Sequence, residues 1–313
     1  MSVKVFIDGS SGTTGLRIAD RLAQRPEIEL LSISAEGRKD VNERAKVINS
    51  ADLAFLCLPD AASKEVMPLL RPDVKVLDTS TAFRTDAAWD YGFPELKGQK
   101  AKIQNSYRVA VPGCYASGFI SIARPLVELG LVPQSYPFSC TGISGYSGGG
   151  KKMIAEYESA DRPVHSKLDA PKSYGLGLAH KHLPEMQKIS GLAHTPMFVP
   201  VVCDYYCGMQ VLVPLDLTLA GSTAEQVAEG IAAYYKDAAT VKVHELNETL
   251  PENGLYSNAM AGTDRMELYM TVNAAGDQMM LVSLFDNLGK GSSGAAVQCM
   301  NLMLGLEETK GLE

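Results

Sequence analysis

The fold is decided by residues 3–16, whose sequence is Val3-Lys-Val-Phe-Ile-Asp-Gly9-Ser-Ser-Gly12-Thr-Thr-Gly15-Leu16. Weak alternation of apolar residues over positions 3–7 predicts a buried strand. Apolar residues then recur at helical spacing from Leu16 onward, and Pro26 ends this predicted helix. A glycine-rich turn between a first strand and a first helix is typical of a dinucleotide-binding unit.

The glycines of this turn suit a phosphate site, because they allow a tight turn and let the backbone approach a pyrophosphate. The start of the following helix adds free N–H groups and the positive end of a dipole. The neighbouring serine and threonines add hydroxyl groups. We therefore expect the cofactor to be bound by Gly9, Ser11, Gly12, Thr13, Thr14 and Gly15. A plain strand-to-helix turn is the alternative.

The rest of the chain predicts two domains. Strands over 28–34, 52–58 and 75–78 alternate with helices over 41–49 and 61–70, which indicates a parallel, doubly wound sheet. After about residue 135 the predicted strands are longer, at 138–143, 195–203, 209–219 and 268–272, with one clear helix over 223–237 and a helix-like segment at 294–306. The predicted fold class is α/β, a Rossmann-type domain plus an α+β domain with a mixed sheet.

Composition excludes several classes of function. The 313 residues are 46% hydrophobic and 21% charged, which is typical of a globular protein and not of a disordered one. The net charge is −7 without a basic stripe, so we expect no nucleic-acid or anionic-membrane partner. No apolar run reaches the roughly 20 residues of a membrane span. The six cysteines are irregularly spaced, which favours free thiols in a cytoplasmic protein.

The choice of cofactor depends on the end of the second predicted strand. Glu36 and Arg38 follow it closely. An arginine at this place suits the 2′-phosphate of NADP, whereas an acidic residue suits the ribose hydroxyls of NAD. We expect NADP (NADPH) with Arg38 at the phosphate, and NAD remains the alternative. Pro59, which closes the third predicted strand, is included among the expected cofactor contacts.

Cys114 is the candidate nucleophile. It lies in Pro112-Gly-Cys-Tyr115, directly before a helical pattern. A helix N-terminus lowers the pKa of a thiol, and its N–H groups can hold an oxyanion. A small packing residue is the alternative. The other cysteines lie in apolar strand or helix patterns, where buried, inert thiols are expected.

The segment His180-Lys-His182-Leu-Pro-Glu185 contains the densest group of histidines and is the expected source of a general base. Glu185 would orient the site or hold substrate. The two histidines could also bind zinc, but further ligands at usable spacing are missing, so we predict no metal. Arg84 follows a strand, where its guanidinium suits a phosphate. The glycine-rich segment 142–152 supplies further candidates for cofactor or phosphate binding.

Taken together, these motifs resemble the N-acetyl-gamma-glutamyl-phosphate reductase family of arginine biosynthesis, in the shorter of its two forms. Aspartate-semialdehyde dehydrogenases are relatives in the wider superfamily. The matching segments occur in family order along nearly the whole chain: Gly9–Gly15, Asp78–Arg84, Gly92–Glu95, Pro112–Tyr115, Ser144–Lys151, His180–Glu185 and Asp286–Gly291. One departure lies at Cys203–Gly208, where the long form carries an arginine before the glycine, so substrate contacts in this region are not transferred.

The resemblance implies an NADP-binding Rossmann domain at 1–113 plus 289–313 and a catalytic and dimerisation domain at 114–288. It implies a homodimer or homotetramer. Reductive dephosphorylation of a small-molecule acyl phosphate by NADPH would give a semialdehyde through a Cys114 thioester, with His182 moving the proton. The implied substrate contacts are Arg84, Arg108, Ser144 and Glu185. The implied further cofactor contacts are Ser147, Gly148 and, at the nicotinamide, Asn287. An aspartate-semialdehyde dehydrogenase and a non-catalytic cofactor sensor are the alternatives.

Overall fold

A computed structural model describes residues 2–313 as two compact units. The first unit contains residues 2–113 and 292–312, and the second contains residues 114–291 and Glu313. None of the helices within residues 2–313 combines the length and apolar character that a bilayer crossing requires.

The first unit is built around a parallel sheet with helices on both faces. Its elements are β1 (Val3–Asp8), α1 (Thr13–Leu22), β2 (Ile28–Leu31), α2 (Val41–Ser50), β3 (Leu53–Leu56), α3 (Asp60–Val66), β4 (Lys75–Asp78), β5 (Asp90–Tyr91), α4 (Gln99–Asn105), β6 (Arg108–Ala110) and, near the end of the chain, α10 (Gly294–Met303). The strand order is β2-β1-β3-β4-β6-β5, with parallel neighbours. The predicted doubly wound sheet is therefore confirmed.

Alternating side chains of this sheet feed two separate cores, because successive residues of a strand point to opposite faces. Val5 and Phe55 pack in a cluster with residues of α1, α4 and α10. Phe6 and Leu56 pack in the other cluster with residues of α2 and α3. Both faces are therefore buried, which explains why these strands are apolar at nearly every position.

The second unit is a mixed sheet with its longest helix on one face. Its elements are α5 (Cys114–Glu128), β7 (Ser139–Gly145), α6 (Gly150–Tyr157), β8 (Lys172–Ser173), α7 (Leu183–Ser190), β9 (Met197–Cys203), β10 (Met209–Asp216), α8 (Leu217–Ala220), α9 (Ala224–Tyr234), β11 (Val241–Leu246), β12 (Met266–Val272) and β13 (Gln278–Phe285). The strand order is β11-β12-β13-β10-β7-β9-β8, and it combines parallel and antiparallel neighbours. This arrangement confirms the predicted mixed sheet.

Two predicted strands run three residues past the observed strand ends, for local reasons. The strand predicted at 28–34 ends at Leu31, and the Ser34 hydroxyl accepts from the Gly37 N–H at 3.0 Å, which starts a turn. The strand predicted at 209–219 ends at Asp216, whose carboxylate accepts from the Leu219 N–H at 2.8 Å and caps α8. In both cases a polar side chain bonds to nearby backbone and replaces the strand ladder.

Candidate active site

The glycine-rich turn of the first unit is too closely packed to carry side chains at two of its glycines. A Cβ at Gly9, where φ is +91°, would lie 2.5 Å from the Cys57 carbonyl oxygen, and one at Gly15 would lie 2.4 Å from the Gly9 oxygen. Gly12 is the N-cap of α1 and has no side chain to accept from the first-turn N–H groups. The turn therefore offers backbone donors and a positive helix end, which fits a dinucleotide pyrophosphate.

The hydroxyl-bearing residues of this turn lie at the start of α1. Thr13 is its first residue, and the hydroxyl of Thr14 lies 3.0 Å from that of Ser292, just before α10. Ser11 is exposed. These groups lie beside the backbone donors expected to bind phosphate.

Two further expected cofactor contacts lie at the same edge of the sheet. Arg38 is exposed in a 3₁₀ turn after β2, and Pro59 is exposed at the N-cap of α3, after β3. Because β2 and β3 both run parallel to β1, their carboxyl ends share an edge with the Gly9 turn. Ligands of doubly wound sheets bind at this edge. Glu36 is also exposed there, so both candidate ribose contacts are accessible.

The two arginines predicted to bind substrate lie at different places in the first unit. Arg84 is buried, and its Nε and Nη2 donate to the carbonyls of Val111 (2.9 Å) and Thr79 (3.0 Å). It thus holds the segment that leads along the chain to Cys114. Its role as a phosphate clamp stays a prediction.

Arg108 lies away from the Gly9 turn. It begins β6, so it lies at the amino edge of the parallel sheet, opposite the edge that carries the Gly9 turn. Its guanidinium donates to the carbonyls of Arg71, Val74 and Tyr107. Only the strand direction reveals which edge Arg108 occupies, and its role as a substrate contact stays a prediction.

In the second unit, two parallel helices begin at the two predicted catalytic residues. Cys114 is the first residue of α5, and His182 is the N-cap of α7. The Tyr115 and His182 rings are 6.1 Å apart at one end of the pair, and Arg124 donates to the Ile189 carbonyl at 3.3 Å near the other. Both positive helix ends therefore point to the same region, where they favour a thiolate and an anionic substrate.

The surroundings of Cys114 and His182 are tightly packed. A Cβ at Gly291 would lie 3.0 Å from the Cys114 Cβ, so a side chain at Gly291 would crowd Cys114. Cys114 itself is partly exposed, as a reacting thiol must be. His182 is only 4% exposed, and Glu185, in the first turn of α7, is only 2% exposed. A buried imidazole and a buried carboxylate thus lie within one helical turn.

Tyr115 and Tyr174 are two neighbouring aromatic residues of this site that sequence analysis did not identify as site residues. The Tyr115 ring fills the space left by Gly142, where a Cβ would lie 2.4 Å from it. Its hydroxyl donates to the Val201 carbonyl at 3.2 Å and lies 3.5 Å from the Tyr174 hydroxyl. Burial raises the pKa of Tyr115 well above its usual value and also raises that of Tyr174, so both remain neutral. Pro-Gly-Cys-Tyr signals Tyr115, but no local pattern signals Tyr174.

His180 is neutral in this site. Its Nδ1 accepts from the His182 main-chain N–H at 3.2 Å, which requires an unprotonated nitrogen. Burial, helped by the charge of Lys181, lowers the pKa of His180 to about 4. The His180 ring packs edge-on against the rings of Tyr115 and His182. His180 therefore orients its neighbour, and His182 is left as the candidate base.

Three expected cofactor contacts, Ser147, Gly148 and Asn287, lie close together. Asn287 Nδ2 donates to the Ser147 hydroxyl at 3.0 Å, and its Oδ1 accepts from the Gly208 N–H at 2.8 Å. A Cβ on Gly148 would lie 3.4 Å from the Ser144 hydroxyl and 3.5 Å from Asn287 Nδ2. The structure thus brings together four residues predicted from distant motifs. Gly208, with φ +105°, was not predicted to take part.

Within residues 2–313, no group of three or more His, Cys, Asp and Glu side chains is arranged to hold a metal ion.

The fold and site define the semialdehyde dehydrogenase class. Residues 4–104 match the model described as "Semialdehyde dehydrogenase, NAD binding domain", and residues 114–287 match "Semialdehyde dehydrogenase, dimerisation domain". Solved aspartate semialdehyde dehydrogenases share the fold. That of Francisella tularensis has a TM-score of 0.70 at 15% identity, covering 96% of this chain and 100% of its own. Enzyme II of Vibrio cholerae has 0.68 at 17%, covering 97% and 99%.

Sequence comparison over the full length of the chain identifies one family within this class. The N-acetyl-gamma-glutamyl-phosphate reductase of Trichormus variabilis is 46% identical, over 99% of both chains. That of Burkholderia cenocepacia is 45% identical, over 96% of this chain and 97% of its own. The chain belongs to the N-acetyl-gamma-glutamyl-phosphate reductase family, which confirms the resemblance found in the sequence.

Proposed function

We propose that this protein reduces N-acetyl-gamma-glutamyl phosphate to N-acetyl-glutamate 5-semialdehyde in arginine biosynthesis, with NADPH as reductant. The observation that carries the proposal is the convergence of the α5 and α7 N-termini, which places Cys114 and His182 at one end of a parallel helix pair. Membership of the N-acetyl-gamma-glutamyl-phosphate reductase family supports N-acetyl-gamma-glutamyl phosphate as the substrate.

In the proposed reaction, the Cys114 thiolate attacks the acyl carbon and phosphate leaves, so that a thioester forms on Sγ. The imidazole of His182 takes the thiol proton as Sγ attacks. Once hydride has been added to the thioester carbon, the C–S bond would break as the oxyanion reforms C=O, which gives the aldehyde, and His182 would return the proton to Sγ. The N–H groups at the start of α5 stabilise the oxyanion. Our proposed substrate contacts remain Arg84, Arg108, Ser144 and Glu185.

A bound nicotinamide dinucleotide would supply the hydride. The Gly9–Gly15 turn fits its pyrophosphate, because glycines let the backbone approach the phosphates closely. Side chains are excluded at Gly9 and Gly15, where an added Cβ would collide with backbone atoms. We assign the ribose end to Arg38 and Pro59, and the nicotinamide end to Ser147, Gly148 and Asn287. In this proposal the first unit is the cofactor-binding domain and the second is the catalytic domain. The cytoplasmic location expected from the sequence stays a prediction.

An assay with the purified protein in the aldehyde-oxidation direction tests the function. N-acetyl-glutamate 5-semialdehyde and aspartate 4-semialdehyde are compared with phosphate and either NADP⁺ or NAD⁺. We expect turnover of the first aldehyde with NADP⁺. Preference for aspartate semialdehyde would support the alternative dehydrogenase, and no turnover of either with intact dinucleotide binding would support a sensor.

We further propose that the second unit forms a homodimer through the face of its sheet opposite α5. Gly142 faces α5, since a Cβ there would contact Tyr115. The alternate positions face away, and the register places them side by side on β7, β9 and β10. This apolar patch consists of the half-buried residues Thr141, Ile143, Val199, Val201 and Leu212. The matched model for residues 114–287 is that of a dimerisation domain.

Light scattering after size-exclusion chromatography tests the interface. A Val199→Asp substitution places a charge in the patch and should convert the dimer to monomer, because an unpaired charge is costly to bury. Leu219→Asp is the matched control, since Leu219 is 57% exposed on α8. An unchanged mass for Val199→Asp, or a monomeric wild type, would contradict the proposal. A mass of four chains would indicate that a second interface is also present.

A further inference from the structure

Asp286, the residue that follows β13, binds three main-chain N–H groups. Its Oδ1 accepts from Leu288 at 2.9 Å, its Oδ2 accepts from Gly262 at 2.8 Å, and its carbonyl accepts from Gly291 at 2.9 Å. The side chain is completely buried. A buried carboxylate is costly unless it is hydrogen-bonded, and bonds from N–H to an ionised acceptor are among the stronger ones.

These bonds fix the backbone on both sides of Asn287. Leu288 follows Asn287 directly, and Gly291 lies against Cys114, since a Cβ there would be 3.0 Å from the Cys114 Cβ. The side chain of Asn287 is held from the other direction by Gly208 and Ser147. The position of the Asn287 carboxamide thus depends on two sets of contacts. Gly208 and Ser147 hold the side chain, and the carboxylate of Asp286 holds the adjacent backbone.

We propose that Asp286 is a positioning residue, whose carboxylate sets the place of the Asn287 carboxamide and through it the nicotinamide end of the cofactor. The inference rests on the proposed function for the identity of the cofactor. Its carboxylate bonds two segments that are distant in sequence, 260–263 and 286–291. A packing role alone would be filled by any side chain of the same volume. The bonding role needs two acceptor oxygens.

Asp286→Asn distinguishes these roles, because it keeps the volume and replaces one acceptor by an NH₂ group that faces an N–H donor. The matched control is Asp216→Asn, in which the altered carboxylate accepts from the Leu219 N–H at 2.8 Å at the far end of β10. Binding of NADP⁺ and of adenosine 2′,5′-bisphosphate is measured for each protein by calorimetry. The second ligand lacks the nicotinamide end and reports on the ribose and adenine end alone.

For Asp286→Asn we expect NADP⁺ affinity to fall by about tenfold to a hundredfold, the range for loss of a charge-assisted hydrogen bond, with bisphosphate affinity changed less than about twofold. Asp216→Asn should change neither. Ser147→Ala should act in the same direction. Its effect should not add to that of Asp286→Asn, because both act through Asn287.

Equal losses for both ligands, or no loss for either, would overturn the inference. If Asp286→Asn does not fold, Asp286→Ser is measured instead, since a hydroxyl can keep the turn to Leu288 while the bond from the Gly262 N–H is lost. Failure of both variants to fold would also overturn it, because Asp286 would then be needed by the fold itself. A wild type that binds neither ligand would contradict the proposed function and not this inference.

Discussion

The main-chain N–H of His182 donates a hydrogen bond to Nδ1 of His180 at 3.2 Å, so the two histidines of the His-x-His segment have different roles. His180 must be neutral to accept this bond, which leaves Nε2 as its protonated nitrogen. Its ring lies against His182, with ring centroids 4.7 Å apart. His180 thus holds the start of α7, and His182 remains the proposed base.

The neutral state of His180 predicts a pH dependence of stability. Burial lowers its pKa from 6.5 to about 4 in the folded protein, so the unfolded chain binds the proton more tightly. The contribution of neutral His180 to the free energy of unfolding is therefore fully present above pH 6.5, and it is lost as the pH falls toward 4. Relative to His180→Asn, which cannot titrate, the wild type should lose on the order of 2 kcal/mol of unfolding free energy between pH 7.5 and 5. Urea titrations at both pH values measure this difference.

The comparison between the two proteins cancels the other titrating groups. Asn at position 180 offers a carbonyl oxygen that can accept the His182 N–H, so the fold should persist. A difference in unfolding free energy that stays constant between the two pH values would show that His180 does not titrate with a lowered pKa.

Cys114→Ser tests the nucleophile. A serine hydroxyl is far less ionised than a thiol at neutral pH, so reductase activity should fall by several orders of magnitude. Binding of NADPH should persist, because the glycine turn of the first unit is untouched. Cys203→Ser is the control, since burial raises the pKa of that thiol and makes it less reactive. Near-normal turnover by Cys114→Ser would eliminate the thioester mechanism.

The His182→Asn substitution tests whether His182 acts as a general base or has only a structural role. Loss of a general acid–base group typically lowers kcat by about 10²- to 10⁴-fold. The alkylation rate of Cys114 at pH 7, followed by mass spectrometry of that peptide, should fall as well. His194→Asn should change neither quantity, because His194 is exposed after α7. Similar behaviour of the two variants would remove His182 from the mechanism.

The sequence predicted the features that depend on neighbouring residues. The β1–turn–α1 unit and the start of α5 at Cys114 follow from glycines, apolar spacing and helix-start chemistry within about ten residues. Contacts between residues that are far apart in the chain have no local sequence pattern, so they were not predicted. The parallel packing of α5 on α7 places Tyr115 beside His182, and the missing side chain of Gly142 makes room for the Tyr115 ring. The position of Arg108 left no local pattern for the same reason, because only strand pairing shows which edge of the sheet it occupies.

The choice between NADP and NAD depends on two exposed side chains after β2, Arg38 and Glu36. The guanidinium of Arg38 can pair with a 2′-phosphate through two bonds, whereas the Glu36 carboxylate can accept only from ribose hydroxyls. The 3₁₀ turn Gly37–Lys39 places Arg38 at the edge of the sheet where the Gly9 turn lies. Arg38→Ala should therefore raise the KM for NADPH by about tenfold to a hundredfold and leave the KM for NADH nearly unchanged. The measurement is kcat/KM with each cofactor, for wild type, Arg38→Ala and the control Arg71→Ala at the opposite edge. Equal losses with both cofactors would mean that Arg38 supports the turn, and a wild-type preference for NADH would assign the ribose to Glu36.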